Sequence, residues 1–249
     1  MTAKPDLIAH IHVPKTAGTS INAALAAALG HGRDHIQPLL SDPPAFAAAV
    51  AESRWIAGHV PLTRMRAALR AAGVNARYVT ALREPVAHVA SHYNWLIEIG
   101  HRGRAFLHGH PADIRDMHRH ISNSDNSDPR VIIRNLETCA GLFLNCQSRH
   151  VIGPQFALAE TSFAGCLDAF DAIVLSGDIQ AGLSRMLPGA DLNLTQKNIS
   201  RYHFDPQVFN HPALRLFLRD RNRADEALWA IARSKFQSAP HPTKPEIAA

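Results

Sequence analysis

One loop near the start of the chain combines residue types suited to binding an anion: Pro14-Lys15-Thr16-Ala17-Gly18-Thr19-Ser20. Lys15 supplies a positive charge, the three hydroxyl side chains supply donors, and Ala17 and Gly18 let the backbone approach a ligand. Residues 7–13 predict a strand, and residues 21–29 predict a helix that Thr19 or Ser20 would cap. A strand-to-helix loop gathers free backbone N–H groups at a positive dipole end, so we expect an anion site here.

A second group of suitable residues follows the strand predicted for residues 77–82. Arg83 ends this strand, and Ser91 lies about two turns into the next helix, which Pro85 is placed to begin. An arginine fork together with a hydroxyl makes a good grip for a phosphate group. Taken alone, Arg83 is equally consistent with a salt bridge, and Ser91 with a hydroxyl that packs the helix.

A histidine suited to proton transfer follows the short strand predicted for residues 55–57. His59 comes after Gly58 at a strand end, and an imidazole with an ordinary pKa of about 6.5 can take a proton from a hydroxyl. The chain has 16 histidines, so a histidine that only hydrogen-bonds the backbone or lines a pocket is the alternative.

The elements that must position these residues are strands alternating with helices. We also predict a strand over residues 172–176, short helices or a loop over 101–130, and helices over residues 45–53, 63–72, 85–99, 135–151, 179–187, 212–221 and 224–236. The alternation favours an α/β fold: a P-loop-type, mostly parallel sheet flanked by helices, with ligands at the carboxyl ends of the strands. We expect one domain over residues 1–238 and a disordered tail over 239–249.

Composition narrows the class of protein. Hydrophobic residues make up 46% of the chain and charged residues 19%, which is typical of a soluble globular protein. The formal charge of +5 suits an anionic ligand such as a nucleotide or an acidic glycan, and no dense run of Lys and Arg favours nucleic acid. The three cysteines form no CxxC pair, which indicates reduced thiols. Without a signal peptide or membrane span in the sequence, we expect a cytoplasmic protein.

The two phosphate-binding patterns together resemble a known family. The segment Ile11-His12-Val13-Pro14-Lys15-Thr16-Ala17-Gly18-Thr19-Ser20 resembles the 5′-phosphosulfate loop of sulfotransferases that use PAPS (3′-phosphoadenosine 5′-phosphosulfate). Leu82-Arg83-Glu84-Pro85-Val86 through Ser91-His92-Tyr93 resembles their 3′-phosphate segment, with Glu84 where the family has Asp. The carbohydrate sulfotransferases related to heparan sulfate 2-O-sulfotransferase are the most similar group. These motifs span residues 8–95, and the likeness elsewhere is loose.

The resemblance implies transfer of the sulfuryl group of PAPS to a hydroxyl acceptor, a saccharide by family analogy, leaving adenosine 3′,5′-bisphosphate. It implies that Lys15, Thr16, Gly18, Thr19 and Ser20, with the backbone at Ala17, hold the 5′-phosphosulfate, and that Arg83 and Ser91 hold the 3′-phosphate. It makes His59, in a Gly58-His59-Val60 segment, the catalytic base, with Lys15 stabilising the leaving oxygen. Relatives cover the nucleotide with a late basic loop, for which Lys197, Ser200 and Arg201 are the counterparts here.

Two other functions remain open at this point. A P-loop kinase of a small metabolite would fit the Lys15-Thr16 pair, although GxxxxGK[ST] is missing and the second strand ends in Arg83 where a Mg²⁺-binding acid is expected. An inactive nucleotide-binding adaptor would keep the loop without turnover. The histidine-rich segment 101–120 contains two HxH patterns, but without a partner Cys or an HExxH frame we expect no metal site there.

Overall fold

The computed structural model of the chain describes residues 7–153, 160–190 and 201–236. Within them the chain forms one five-stranded sheet in which every pairing is parallel, in the order β2-β3-β1-β4-β5. The strands are β1 (Leu7–Ile11), β2 (Gly32–Arg33), β3 (Trp55–Gly58), β4 (Ala76–Leu82) and β5 (Ala172–Leu175). The predicted α/β class, with a sheet flanked by helices in a single domain, is confirmed.

The helices are α1 (Gly18–Leu29), α2 (Pro43–Glu52), α3 (Leu62–Ala71), α4 (Pro85–His101), α5 (Arg104–His108), α6 (Ala112–Ser122), α7 (Pro129–Thr138), α8 (Ala140–Phe143), α9 (Cys146–Val151), α10 (Glu160–Leu167), α11 (Ile179–Met186), α12 (Pro212–Arg221) and α13 (Arg223–Phe236). Short 3₁₀ turns lie at Gln37–Ser41 and Pro206–Asn210. None of these helices is both long enough and apolar enough to cross a membrane.

Alternation along the buried strands divides the apolar core between the two faces of the sheet. Leu7, Ala9 and Ile11 of β1 pack with α2, α3 and α13, whereas Ile8 packs with α1 and α11 on the opposite face. A third apolar cluster, formed by α4, α6, α7, α8 and α12, lies beside this sandwich. The rigid strands therefore fix the positions of the loops that follow them.

One predicted helix is interrupted in the structure, and two elements of the structure were not predicted. The helix predicted over residues 135–151 is interrupted, because Leu144 is extended and Asn145 takes a left-handed φ of 53°. The amide of Asn145 stabilises this break by bonding Arg221 O and Ala224 N. Strand β2 was missed because two residues show no periodicity, and α10 was also missed. The predicted tail, residues 239–249, lies outside the described residues.

Candidate functional site

The sheet topology brings the three predicted motifs to one edge. Strand β1 lies between β3 and β4, and Ile11 is in register with Gly58 on one side and Thr80 on the other. The loop after β1, the histidine after β3 and the arginine after β4 therefore emerge side by side at the carboxyl ends of the strands. This is where open parallel sheets bind ligands.

Five consecutive carbonyl oxygens leading into the loop each accept a side-chain hydrogen bond. The donors come from β4, from the segments after β3 and β4, from α4 and from the loop itself. The pairs are Thr80 Oγ1 to Ile11 O at 2.8 Å, His59 Nδ1 to His12 O at 2.8 Å, Thr16 Oγ1 to Val13 O at 2.9 Å, His88 Nε2 to Pro14 O at 2.9 Å and Arg83 Nη1 to Lys15 O at 3.4 Å. The carbonyl oxygens of the loop are thus already bonded to protein side chains.

Most N–H groups of the same loop are free. Lys15 and Ala17 have φ values of 63° and 74°, whereas φ is not positive at Thr16 or Gly18, so the sign alternates along the loop. This alternation is typical of a backbone nest that directs successive N–H groups toward one anion. The N–H groups of residues 15 and 17–19 donate to no described residue, whereas the turn at residues 14–15 directs Thr16 N–H back toward Val13 O. Left-handed backbone at two non-glycine residues is unfavourable, which indicates that the local structure enforces it.

Two cations lie at the loop without an acidic partner. Among the described residues, no carboxylate lies within 4.0 Å of Lys15 or Arg83. Burial lowers the pKa of Lys15, and the charges of Arg83 and Arg102 lower it further, against an opposing effect of Glu98. A bound anion would relieve this repulsion and supply acceptors for the free N–H groups.

His59 has a tautomer suited to accepting a proton. Its Nδ1 must be the protonated nitrogen, since it bonds the carbonyl oxygen of His12. The lone pair is then at Nε2. Burial is the largest cause of the lowered pKa of His59, so the neutral, basic form is favoured at neutral pH. The structure thus places His59 beside the loop in the protonation state that a general base requires.

His12 is a site residue that sequence reasoning did not single out. Its ring lies 5.2 Å from that of His10 and 4.3 Å from that of His59, measured between centroids. Burial is the main cause that lowers the pKa of His10 to about 4 and that of His12 to about 2. The ring also lies against Gly18: a Cβ at Gly18 would be 2.0 Å from His12 Nε2. The signal available in the sequence was a pair of histidines two residues apart, His10 in β1 and His12 just after it, among apolar residues.

We expect Gly18→Ala to destabilise the protein because the new methyl group must displace His12, which is packed between two other rings. The expected loss in unfolding free energy is about 1–3 kcal/mol in urea denaturation. Gly141→Ala is the matched control, since a Cβ there meets nothing within 4 Å and Ala favours a helix. Equal stability of the two variants would contradict the predicted clash.

Arg83 is held by a residue that sequence analysis did not identify. Gln147 accepts from Arg83 N at 2.8 Å and donates to Arg83 O at 2.9 Å. Glu84 accepts from Ala87 N at 2.6 Å and so caps α4. Pro85 begins α4, as predicted. The side chain of Gln147 therefore holds both the N–H and the carbonyl group of Arg83.

The helix that carries Gln147 is in turn anchored by a buried carboxylate. Asp225 is 0% exposed and accepts from Ser148 N at 2.7 Å and Gln147 N at 3.1 Å, at the start of α9. Burial raises the pKa of Asp225, and the backbone hydrogen bonds partly offset this effect. No sequence pattern indicated this contact, because the partners are more than 70 residues apart.

Asp225→Asn should cost about 1–3 kcal/mol of unfolding free energy, because one oxygen becomes an NH₂ group that faces a buried N–H donor. Urea denaturation monitored by circular dichroism measures this loss. The exposed Asp220→Asn is the control and should change stability by less than about 0.5 kcal/mol. A similarly small change for Asp225→Asn would show that Asp225 does not anchor α9.

The hydroxyl groups predicted to contact a ligand have different environments. Helix α1 begins at Gly18 with Ala17 at its N-cap and no side-chain cap, so the prediction that Thr19 or Ser20 caps it was wrong. Thr16 is fully buried and donates its hydroxyl hydrogen to Val13 O, so its side chain is not directed at a ligand. Thr19 is exposed and Ser20 half-buried in the first turn of α1.

The structure brings two further predicted residues to α4. Ser91 is buried and lies one turn after His88, the residue that bonds the loop. Asn94, one turn further, donates to Arg201 O at 2.9 Å and so holds the backbone of that residue beside α4. Lys197 and Ser200 lie outside the described residues.

A scan against protein-family models, a search of curated proteins and a search of solved structures each found no match to this chain.

Proposed function

We propose that this chain is a PAPS-dependent sulfotransferase with a P-loop-type nucleotide site. The main support is the contrast within one loop. Five carbonyl groups on one side are occupied, and on the other side four N–H groups are free, beside two cations that have no carboxylate within 4.0 Å among the described residues. Such a loop at a helix N-terminus suits a phosphate or phosphosulfate group.

The nucleotide would be held at both ends. The backbone N–H groups of residues 15 and 17–19, with Lys15 and the hydroxyls of Thr19 and Ser20, would bind the 5′-phosphosulfate. Arg83 and Ser91 would bind the 3′-phosphate. A late loop with Lys197, Ser200 and Arg201 would cover the nucleotide. The support for this role is that the backbone of Arg201 lies beside α4. Arg83, rather than an acid, follows β4, which favours an anionic nucleotide end over a Mg²⁺ ion at that point.

Sulfuryl transfer requires a base for the acceptor proton, a cation for the developing negative charge, and alignment of the acceptor oxygen with the breaking bond. The acceptor hydroxyl oxygen attacks sulfur while the bond from sulfur to the bridging phosphate oxygen breaks. His59 Nε2 takes the hydroxyl proton, and adenosine 3′,5′-bisphosphate leaves with the bonding electron pair. Lys15 and the loop N–H groups stabilise the charge that develops on the oxygens. No covalent enzyme intermediate is required.

The proposed acceptor is a hydroxyl-bearing saccharide, and a basic cavity supports an acidic one. A cavity of about 390 Å³ lies between α8, α9 and the turn joining α12 to α13, and Arg149, Arg221 and Arg223 contribute to its wall. Helix α9 also carries Gln147, whose side chain bonds the backbone of Arg83. Cys139, Cys146 and Cys166 are free, which agrees with the reducing cytoplasm that we propose as its location.

The decisive experiment is a comparison of nucleotides by calorimetry, in which Mg²⁺ is added only with ATP. Adenosine 3′,5′-bisphosphate should bind, and adenosine 5′-phosphate should bind at least about 10-fold more weakly because Arg83 loses its phosphate. Arg83→Gln should remove this difference. Arg77→Gln is the matched control, since Arg77 lies at the opposite end of β4 and pairs with Asp171 at 3.5 Å.

Each alternative has its own outcome in the same assay. Binding of ATP–Mg²⁺ without binding of the bisphosphate would replace the proposal with a small-metabolite kinase. Binding of the bisphosphate with no transfer of label from PAPS to any of a panel of saccharides, lipids and small alcohols would favour the adaptor. Transfer of label to one acceptor class would support the enzyme and identify that class.

A further inference from the structure

A compact group of metal-binding side chains lies behind the loop. His88 and His92 are one turn apart on α4, and Cys146 is the first residue of α9. They are 0%, 2% and 2% exposed, respectively. One ring nitrogen of each histidine and the Cys146 sulfur all lie within 4.8 Å of one another. These residues are distinct from the histidine-rich segment 101–120 that the sequence brought to attention.

Each of the two histidines has a buried ring nitrogen without a hydrogen-bond partner. His88 Nε2 must be the protonated nitrogen because it bonds the carbonyl oxygen of Pro14, so the lone pair of His88 is at Nδ1. That Nδ1 is buried and has no hydrogen-bond partner, and the same is true of Nδ1 of His92. An unpaired buried polar atom is costly, and two in one group suggest a missing ligand. A ligating histidine commonly donates its other N–H to a carbonyl, as His88 does.

We propose that His88, His92 and Cys146 bind a transition-metal ion of the Zn²⁺ class. Two imidazoles and one thiolate are the donors that Zn²⁺ prefers, whereas Mg²⁺ and Ca²⁺ require oxygen ligands. Three protein ligands leave a fourth position for water. Burial raises the pKa of the Cys146 thiol to about 12, and coordination would displace its proton. Asp225 and Arg149 lie near Cys146, and Lys15 lies near both histidines.

The metal would join the two helices that support the loop. His88 on α4 bonds Pro14 O, and Gln147 next to Cys146 brackets Arg83. An ion between α4 and α9 would therefore stabilise both contacts without touching the nucleotide. This inference does not depend on the proposed function, and either can fail alone.

The test is a Co²⁺ titration of the full chain without an affinity tag, after removal of metals with a chelator. We expect one equivalent to bind, with visible d–d bands of a four-coordinate ion and a near-ultraviolet charge-transfer band from the thiolate. Zn²⁺ should displace Co²⁺ and raise the melting temperature. Cys146→Ser and His92→Leu should each weaken binding at least about 100-fold, more than loss of an outer-shell partner costs.

Cys139→Ser is the matched control, because Cys139 is equally buried but lies outside the group, and it should bind Co²⁺ normally. The proposal is wrong if wild-type protein binds no equivalent of Co²⁺ or binds it without a thiolate band. It is also wrong if binding survives Cys146→Ser and is lost instead when His108, His110, His118 and His120 are replaced. The wild-type spectrum decides the matter even if a variant does not fold. Bisphosphate binding measured with and without Zn²⁺ tests the nucleotide site separately.

Discussion

Lys15→Ala is expected to lower kcat/KM for sulfuryl transfer by at least about 100- to 1,000-fold, the range found when one charge-stabilising donor is removed from an active site. Lys15 lies in the loop that carries the free N–H groups, and among the described residues no carboxylate lies within 4.0 Å of it. Its loss removes a charge that matters most as the leaving oxygen becomes negative. Turnover of labelled PAPS with the accepted substrate is the measurement.

The substitution should leave the fold intact. The backbone at residue 15 has a left-handed φ of 63°, and Ala17 already adopts 74° in the same loop, so alanine is compatible with this geometry. Lys235→Ala is the control, because Lys235 pairs with Asp168 elsewhere on the surface and should retain full activity. A Lys15→Ala enzyme within about threefold of wild type would remove Lys15 from the mechanism.

His59→Asn is expected to reduce kcat/KM by about 100- to 10,000-fold, the usual effect of losing a general base. Affinity for adenosine 3′,5′-bisphosphate should stay close to that of wild type, since in the proposed mechanism His59 acts on the acceptor. Calorimetry with the bisphosphate therefore doubles as the test that the variant is folded. The exposed His120→Asn is the matched control and should not change turnover.

The pH dependence of wild-type kcat/KM provides a second test of His59. Only the neutral imidazole can accept a proton, so activity should rise with pH through the pKa of His59. Burial lowers that pKa below its ordinary value of 6.5, so half-maximal activity is expected below pH 6.5. The residual activity of His59→Asn should lack this acidic limb. An unchanged limb in that variant would assign it to another group.

The sequence alone predicted most of what the local backbone determines. Alternating apolar residues identified β1 and β4, Pro85 marked the start of α4, and the strand-to-helix position of Lys15 indicated an anion site. These signals are local, because strand periodicity, the fixed φ of proline and the free N–H groups of a helix start depend on neighbours along the chain. The nucleotide and the reaction came from a resemblance and remain to be tested.

Only the tertiary structure decided how the site is held together. Contacts between segments distant in the chain occupy the loop carbonyl groups and place the His12 ring between His10 and His59. Such contacts also bond Gln147 to the backbone of Arg83 and bury Asp225. Likewise, Thr16 was expected to direct its hydroxyl at a ligand but donates it to Val13 O. Hydrogen-bond partners and burial depend on which elements pack together, and sequence spacing does not encode that packing. The anion-binding loop could be predicted from its own residues. The group His88, His92 and Cys146 could not, because it forms only where α4 and α9 meet.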